Sequence, residues 1–149
     1  MKTMKLNTLL NKIFLGVFVL HMLFAVDASA KKVKFLTSTA VPAARGHVII
    51  NHDKNRNYVI SIHLFNLAEV ERLEPTKRYY IVWMVTDEET TMNMGKIDSS
   101  TGFLSKKLKA SFKTATSSKP SNIYITAEDD PDRQYPETQM ILSTGNFNM

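Results

Sequence analysis

The chain has 149 residues, no cysteine and a formal net charge of +5. Its length is typical of one domain with a continuous apolar core. The lack of cysteine excludes disulfides, thiolate catalysis, zinc–thiolate sites and blue-copper centres, and the mild net charge gives no support to nucleic-acid binding.

The first thirty residues have the layout of a secretory signal peptide. Three lysines precede an apolar run at residues 13–26, and the small residues Ala28-Ser29-Ala30 follow it. An uncleaved membrane anchor needs roughly 20 apolar residues, whereas this run is shorter and contains His21. We therefore expect cleavage after Ala30 and a single mature domain at residues 31–149, located in the periplasm or outside the cell. After cleavage it would not be an integral membrane protein.

Beyond the leader, apolar residues repeat with a period near two and are interrupted by turn-forming residues, a pattern typical of sandwiches and barrels. The predicted strands, in chain order, are 33–37, 46–52, 58–67, 79–85, 92–98, 103–112, 122–127 and 140–147. Polar loops are expected at 53–57, 87–91, 114–121 and 128–137. A count of seven or eight strands favours an all-β, immunoglobulin-like sandwich over a barrel.

Two of these strands indicate where the core lies. In the strand at 58–67, Tyr58 and the apolar residues at 60, 62 and 64 fall on one face, which we predict to be the core face. The strand at 79–85 is apolar on both faces, which predicts a central strand. Trp83, the only tryptophan, is expected to pack between the two sheets because of its size.

The basic residues do not form a cluster interleaved with aromatic residues, as nucleic-acid binding would need. The densest basic run, at residues 106–109, mixes lysines with Leu108, which is typical of a strand with one solvated side. Gly102, just before it, is predicted to supply a positive φ in a hairpin turn. We expect no nucleic-acid partner.

Several short motifs follow one another in the second half of the chain. They are Tyr80 and Trp83 in one strand, the hairpin glycines Gly95 and Gly102, the apolar strand 123–128 leading into an acidic loop, Pro136, and Ile-Leu-Ser-Thr-Gly at 141–145. Looser matches lie upstream, at Gly46, at 58–67 and at Leu73-Glu74-Pro75. In this order the motifs resemble the extracytoplasmic C-terminal domain of anti-sigma-K factors. The resemblance covers most of residues 46–147.

The chain departs from that family in ways that bear on function. A complete anti-sigma factor has a cytoplasmic segment that grips the sigma factor and a membrane helix joined to the outer domain. The leader here is too short for a sigma-binding segment, and the loop at 129–135 lacks the family's glycine-rich stretch. The resemblance therefore implies a free-standing version of the sensor-like outer domain, and nothing in the sequence supports a role in transcriptional control.

A copper site is the alternative function that the sequence suggests. Exported copper carriers use His and thioether ligands on sandwich folds. The candidate ligands are His47, His63, Met92 and Met94, with the two methionines on one face of a strand. His52 has the opposite strand parity to His47. A real site requires both methionines and at least two histidines to converge on one point.

Other chemistry is weakly marked. Four acids between residues 128 and 132 offer oxygen ligands for Ca²⁺, but no EF-hand spacing orders them, and Pro131 and Arg133 interrupt or flank the cluster. Ser61 and His63 stand side by side on one strand face, without the third group that an activated nucleophile needs. We expect no enzyme activity and no cofactor.

A binding function remains after metal binding and catalysis have been weighed. A sandwich offers two natural surfaces for it. One consists of the polar loops at 53–57, 87–91 and 128–137, and the other is a sheet edge that accepts a partner strand. In the third loop we expect Tyr135, Arg133 and Asp130 to contact the partner, unless the Tyr135 ring packs over the end of the sandwich. The expected partner is an envelope or membrane protein, or a glycan.

Overall fold

The structure is a computed structural model, and it describes residues 12–14, 30–98, 100–101 and 108–147. Most of the expected signal peptide, the Gly102 turn and residues 106 and 107 of the basic run lie outside the described part of the chain. Among the described residues, no helix is long and apolar enough to cross a membrane.

Two antiparallel sheets form the fold, as the alternating pattern predicts. In the described residues the strands are β1 (Lys31–Lys34), β2 (Arg45–His52), β3 (Tyr58–Phe65), β4 (Tyr79–Thr86), β5 (Thr91–Ile97), β6 (Ser100–Thr101), β7 (Leu108–Thr116), β8 (Pro120–Glu128) and β9 (Met140–Ser143). A single 3-10 turn, Val70–Arg72, lies between β3 and β4. The first sheet has the order β1-β2-β3-β7-β6 and the second has the order β5-β4-β8-β9.

The strand order is that of an immunoglobulin-like sandwich. Without β1, the first sheet reads β2-β3-β7-β6, which corresponds to the immunoglobulin order ABED. The second sheet reads β5-β4-β8-β9, which corresponds to CFG with one added strand beside C. Since β6 has only two residues, the predicted class and the predicted count of seven to eight strands are confirmed.

The core lies between the two sheets and follows the alternation of the strands. Ile60, Ile62 and Leu64 of β3 are fully buried in it, and Tyr58 packs against its margin, so the predicted core face is confirmed. From the other sheet, β4 contributes Val82 and Met84. As predicted, β4 is a central strand, paired with β5 on one side and β8 on the other.

The expected position of Trp83 is wrong. Its side chain is fully buried, but it belongs to a second apolar cluster with Ile81 and Tyr124, separate from the main core. Val82 and Met84 point into the core, so strand alternation places the residue between them on the opposite, outer face of the second sheet. The indole Nε1 donates a hydrogen bond to the Thr126 hydroxyl at 2.8 Å.

The predicted loop at 114–121 is also wrong, because strand pairing extends through it. β7 continues to Thr116, opposite Tyr58 of β3, and β8 already begins at Pro120. The Ser and Thr residues of this stretch gave a turn signal, but their backbone groups complete the ladder with β3. The connection between β7 and β8 is therefore only residues 117–119.

One side of the sandwich is closed by the chain itself. After β1, Phe35 forms an isolated bridge with Thr144, and the Leu36 amide donates to the Ser143 carbonyl at 2.8 Å. The edge strand β9 of the second sheet is thus joined to the chain that leaves the first sheet.

Candidate functional site

The connection between β8 and β9, residues 129–139, is the third of the predicted contact loops and is anchored at its base by Glu128. This carboxylate is almost fully buried, with 1% of its surface exposed. Its Oε1 accepts hydrogen bonds from the backbone amides of Glu137 at 3.2 Å and Thr138 at 3.4 Å. The Thr138 hydroxyl lies 3.2 Å from the same oxygen and 2.9 Å from the Ala127 carbonyl. The returning half of the loop is therefore fastened to the end of β8.

The outgoing half of the loop is held by the edge strand β5. The Asn93 amide donates to the carbonyls of Pro131 at 3.0 Å and Arg133 at 2.8 Å. Asn93 pairs with Trp83 of β4, so these bonds bring the loop over the outer apolar cluster. Lys77 adds an ion pair with Asp129 at 2.6 Å. The loop is accordingly a fixed element that rests on the second sheet.

The three residues expected to contact a partner lie on this fixed loop in different roles. Tyr135 is 73% exposed, so the alternative in which its ring packs over the end of the sandwich is wrong. Arg133 is half-buried and forms an ion pair with Glu137, while its Nε is buried and has no hydrogen-bond acceptor among the described residues. The Asp130 carboxylate accepts the Asp132 amide at 3.0 Å and closes a tight turn. Tyr135 is the one that presents a large free surface.

A shallow cavity of about 540 Å³ runs beside the loop. Its walls come from β5 and from the outgoing half of the loop: Met92, Asn93, Met94, Gly95, Pro131, Asp132, Arg133 and Gln134. Met92 is 37% exposed, so flexible thioether side chains border a polar loop backbone. A partner that covers Tyr135 has this cavity within the same surface.

Sequence reasoning missed the two residues that fix the loop. Asn93 lies in a strand, where asparagine is rare, and Glu128 is a buried acid at the end of a strand. A polar residue out of place in a strand is a signal for a side chain that serves a neighbouring loop. Neither residue could be assigned its partner, because both partners lie many positions along the chain.

The candidate copper ligands do not come together. His47 and His63 are opposite each other on β2 and β3, with ring centroids 5.4 Å apart, and they lie on the outer face of the first sheet. Met92 and Met94 lie on β5, the edge strand of the second sheet. In the part of the chain that the structure describes, no group of three or more His, Asp or Glu side chains is placed to hold a metal ion.

The acidic residues of the loop are engaged in structural contacts. Asp129 pairs with Lys77, Asp130 closes its turn, and Glu128 holds the returning half of the loop. Ser61 and His63 are two positions apart on the outer face of β3, and the ring nearest to His63 is that of His47. These contacts give the acidic groups and the His63 imidazole a role in the local structure of the protein.

The three predicted contact loops lie at opposite ends of the sandwich. The Asp87 amide donates to the Lys119 carbonyl at 3.1 Å, and Tyr58 pairs with Thr116, so loops 53–57 and 87–90 share the end that holds residues 117–119. Loop 129–139 follows Glu128, which pairs with Tyr79 at the other end of β4. A single partner surface at an end of the sandwich therefore contains the third loop or the first two.

Comparison of the chain with protein-family models, with curated proteins and with solved structures found no match.

Proposed function

We propose that the protein is an exported binding module that contacts an envelope or membrane protein through loop 129–139. The observation that supports this most directly is the exposure of Tyr135, which is 73%, on a loop fixed by Asn93, Lys77 and Glu128. Arg133 and Asp130 shape the loop around it.

A fixed loop is a good binding surface because folding has already ordered its backbone, so binding need not order it again. Association costs free energy whenever side chains and loops must be ordered at the interface. Tyrosine offers a large amphipathic contact area with few rotatable bonds, and it is enriched among residues that dominate binding energy. Tyr135 combines both advantages, since the loop backbone beneath it is already bonded to β5 and β8.

The loop is a better candidate than an edge of the second sheet. The outer side of β9 is engaged by Phe35 and Leu36. The opposite edge, β5, is interrupted by a bulge opposite Val82 and Trp83, and Gly95 in it has a φ of +119°. Bulges of this kind discourage addition of a further strand. On this sheet, recognition by side chains on the loop is therefore favoured over β-augmentation.

The proposal agrees with the resemblance to the outer domain of anti-sigma-K factors. On that reading the protein is a free-standing version of a sensor-like domain, and the strand at Tyr80 and Trp83 belongs to its scaffold. The partner would be a protein of the envelope, and export through the leader would bring the two together.

Site-specific crosslinking tests the proposed surface. A photoreactive phenylalanine derivative replaces Tyr135 in the full chain, and the matched control places it at the exposed Lys54, at the opposite end of the sandwich. Cells are irradiated, and the adducts are identified by mass spectrometry. We expect one dominant envelope protein to be captured from position 135 and to be absent at position 54.

The same experiment can also contradict the proposed contact surface. Equal adducts from both positions, or none from position 135 in a folded and exported protein, would exclude loop 129–139 as the contact surface. Competition by unlabelled protein gives a second readout: wild type should suppress the adduct, and a Tyr135→Ala protein should suppress it at least ten times less well, because hot-spot tyrosines contribute about 2 kcal/mol or more.

A further inference from the structure

The outer face of the first sheet is strongly basic. The outward-facing positions of β1, β2, β3 and β7 hold five permanently charged cations and two imidazoles: Lys32, Lys34, Arg45, Lys109, Lys113, His47 and His63. We call this set the basic face. Its five lysine and arginine side chains are all exposed, and its residues come from four strands that are far apart in the sequence.

Strand register arranges the basic face in rows that cross the sheet. The rows, read toward β7, are Lys34-His47-His63-Ser111, Lys32-Ile49-Ser61-Lys113 and Arg45-Phe65-Lys109. With strands about 4.8 Å apart and residues about 3.4 Å apart along a strand, the rows cover roughly 14 Å by 14 Å. The charges are thus spread over the face of the sheet and do not converge on one point.

No acid neutralises these charges within the rows. The ion pairs in the described part of the chain, Arg72–Glu69, Lys77–Asp129 and Arg133–Glu137, all lie elsewhere. One acid, Asp98, lies at the margin of the face, where it lines a shallow cavity of about 300 Å³ together with His63, Phe65 and Lys109.

The positive charge of the basic face also affects the pKa of His47. The pKa of His47 is lowered from its ordinary value by partial burial, and further by the charges of Lys32 and His63. Protonation of this imidazole is therefore opposed first by its partial burial and then by the charge of Lys32 on the neighbouring strand β1.

We propose that the basic face binds the anionic headgroups of a phospholipid bilayer. Charge complementarity and the spread of the charges carry this assignment: an array of cations distributed over a sheet face matches a surface of many phosphates, whereas a single small anion needs several donors aimed at one point. Phe65 is 41% exposed between Arg45 and Lys109, so it supplies an apolar contact at the headgroup boundary. The face is opposite to the sheet that carries loop 129–139, so this proposal does not depend on the function proposed above.

Vesicle co-sedimentation tests the proposal. The protein is expressed from its full-length sequence. It is then purified in whatever form, with or without the leader, accumulates in the cell. It is mixed with vesicles of phosphatidylcholine containing 30 or 0 mol% phosphatidylglycerol, about a third being a usual anionic fraction for such assays. We expect binding only with the anionic lipid, and a steep loss between about 50 and 300 mM salt, because screening shortens the reach of surface charges.

A charge-matched pair of variants locates the binding surface. The face variant is Lys32→Gln, Lys34→Gln, Lys113→Gln, and the control variant removes the same charge off the face, as Lys54→Gln, Lys96→Gln, Lys119→Gln. Each lysine near an anionic surface contributes about 1 kcal/mol, so the face variant should bind on the order of 100-fold more weakly, and the control less than about fivefold. Circular dichroism establishes that both variants are folded.

The proposal fails under three results. Equal weakening by both variants would assign binding to net charge alone. Equal binding to vesicles without phosphatidylglycerol would assign it to apolar insertion. Binding to heparin or DNA, with no binding to anionic vesicles at low salt, would assign the face to a soluble polyanion. The salt titration of the wild type is independent of whether either variant folds.

Discussion

The outer faces of the two sheets are built in opposite ways. On the first sheet, β3 and β7 alternate between core residues and outward-facing residues that are mostly polar, and the face is open and basic. On the second sheet, β4 is apolar on both sides and β8 adds Tyr124 to its outer face, and the outward-facing Ile81, Trp83 and Tyr124 are buried. The chain covers this second face with its own loop, which Asn93 and Glu128 hold in place.

The difference shows how one fold can present two outer surfaces of different chemistry. A sheet face that is open and charged can meet a flat anionic surface without any change in the fold. A face covered by a fixed loop presents that loop instead, here with Tyr135 at its most exposed point. The apolar cluster under the loop therefore contributes to stability and to the shape of the proposed contact surface together.

The largest loss of stability should come from removing the side chain of Trp83, which lies beneath the loop. Trp83→Ala should lower the free energy of unfolding by about 3–5 kcal/mol, because it deletes a fully buried indole and leaves a cavity. The matched change on the open face, Phe65→Ala, should cost less than about 1 kcal/mol, because Phe65 is 41% exposed. Urea unfolding followed by circular dichroism measures both. Equal losses would mean that the two outer faces are equally packed.

An intermediate effect should follow from releasing the base of the loop. Glu128→Ala should cost about 1–3 kcal/mol, because the amides of Glu137 and Thr138 lose a buried charged acceptor. Trypsin should then cleave after Arg133 faster than in the wild type. Gln139→Ala, which shortens an exposed side chain of the same loop, is the control and should leave both quantities nearly unchanged. Unaltered cleavage in the Glu128 variant would show that Asn93 alone suffices to hold the loop.

The smallest effect concerns the pH response of the open face. The folded state lowers the pKa of His47 below its ordinary value of 6.5, through partial burial and through Lys32 and His63. As pH falls through 6.5, the unfolded chain takes up a proton that the folded chain takes up only at lower pH, so the free energy of unfolding decreases. His47→Gln should therefore lose less stability than the wild type between pH 7.5 and 5.5.

Thermal unfolding at a series of pH values checks this. Lys34 lies opposite His47 on β1. An identical pH dependence in wild type and variant would show that neither burial nor the neighbouring charges lower the pKa of His47. A His52→Gln variant, at the other end of β2, controls for the loss of any one histidine.

Much of the fold was predictable because alternation is a local property. The core face of β3 follows from its period of two, and the central position of β4 follows from its apolar residues on both faces. The turn signal at 114–121 failed because propensity is weaker than a completed ladder: Thr114 and Thr116 pair with Ile60 and Tyr58. Trp83 was misplaced because size predicts burial without predicting which face is buried.

The candidate site was predictable in part for the same reason. Composition drew attention to loop 128–137 and to Tyr135, whose exposure the structure shows. The residues that hold the loop could not be predicted. Asn93 is 38 positions from Pro131 along the chain, and no local pattern encodes that contact. The histidine and methionine pairs looked like one ligand set in the sequence, yet the topology places them on different sheets.

By itself the sequence determined the period of its strands, the class of its fold, the lack of thiol chemistry and the loop rich in acids and proline. Only the tertiary structure decided that the lysines of β1 and β7 share one face, that Trp83 lies outside the main core, and that a loop is fastened over it. The physical reason is that periodicity acts between neighbours in the chain, whereas sheet order and register bring together residues that are distant in it.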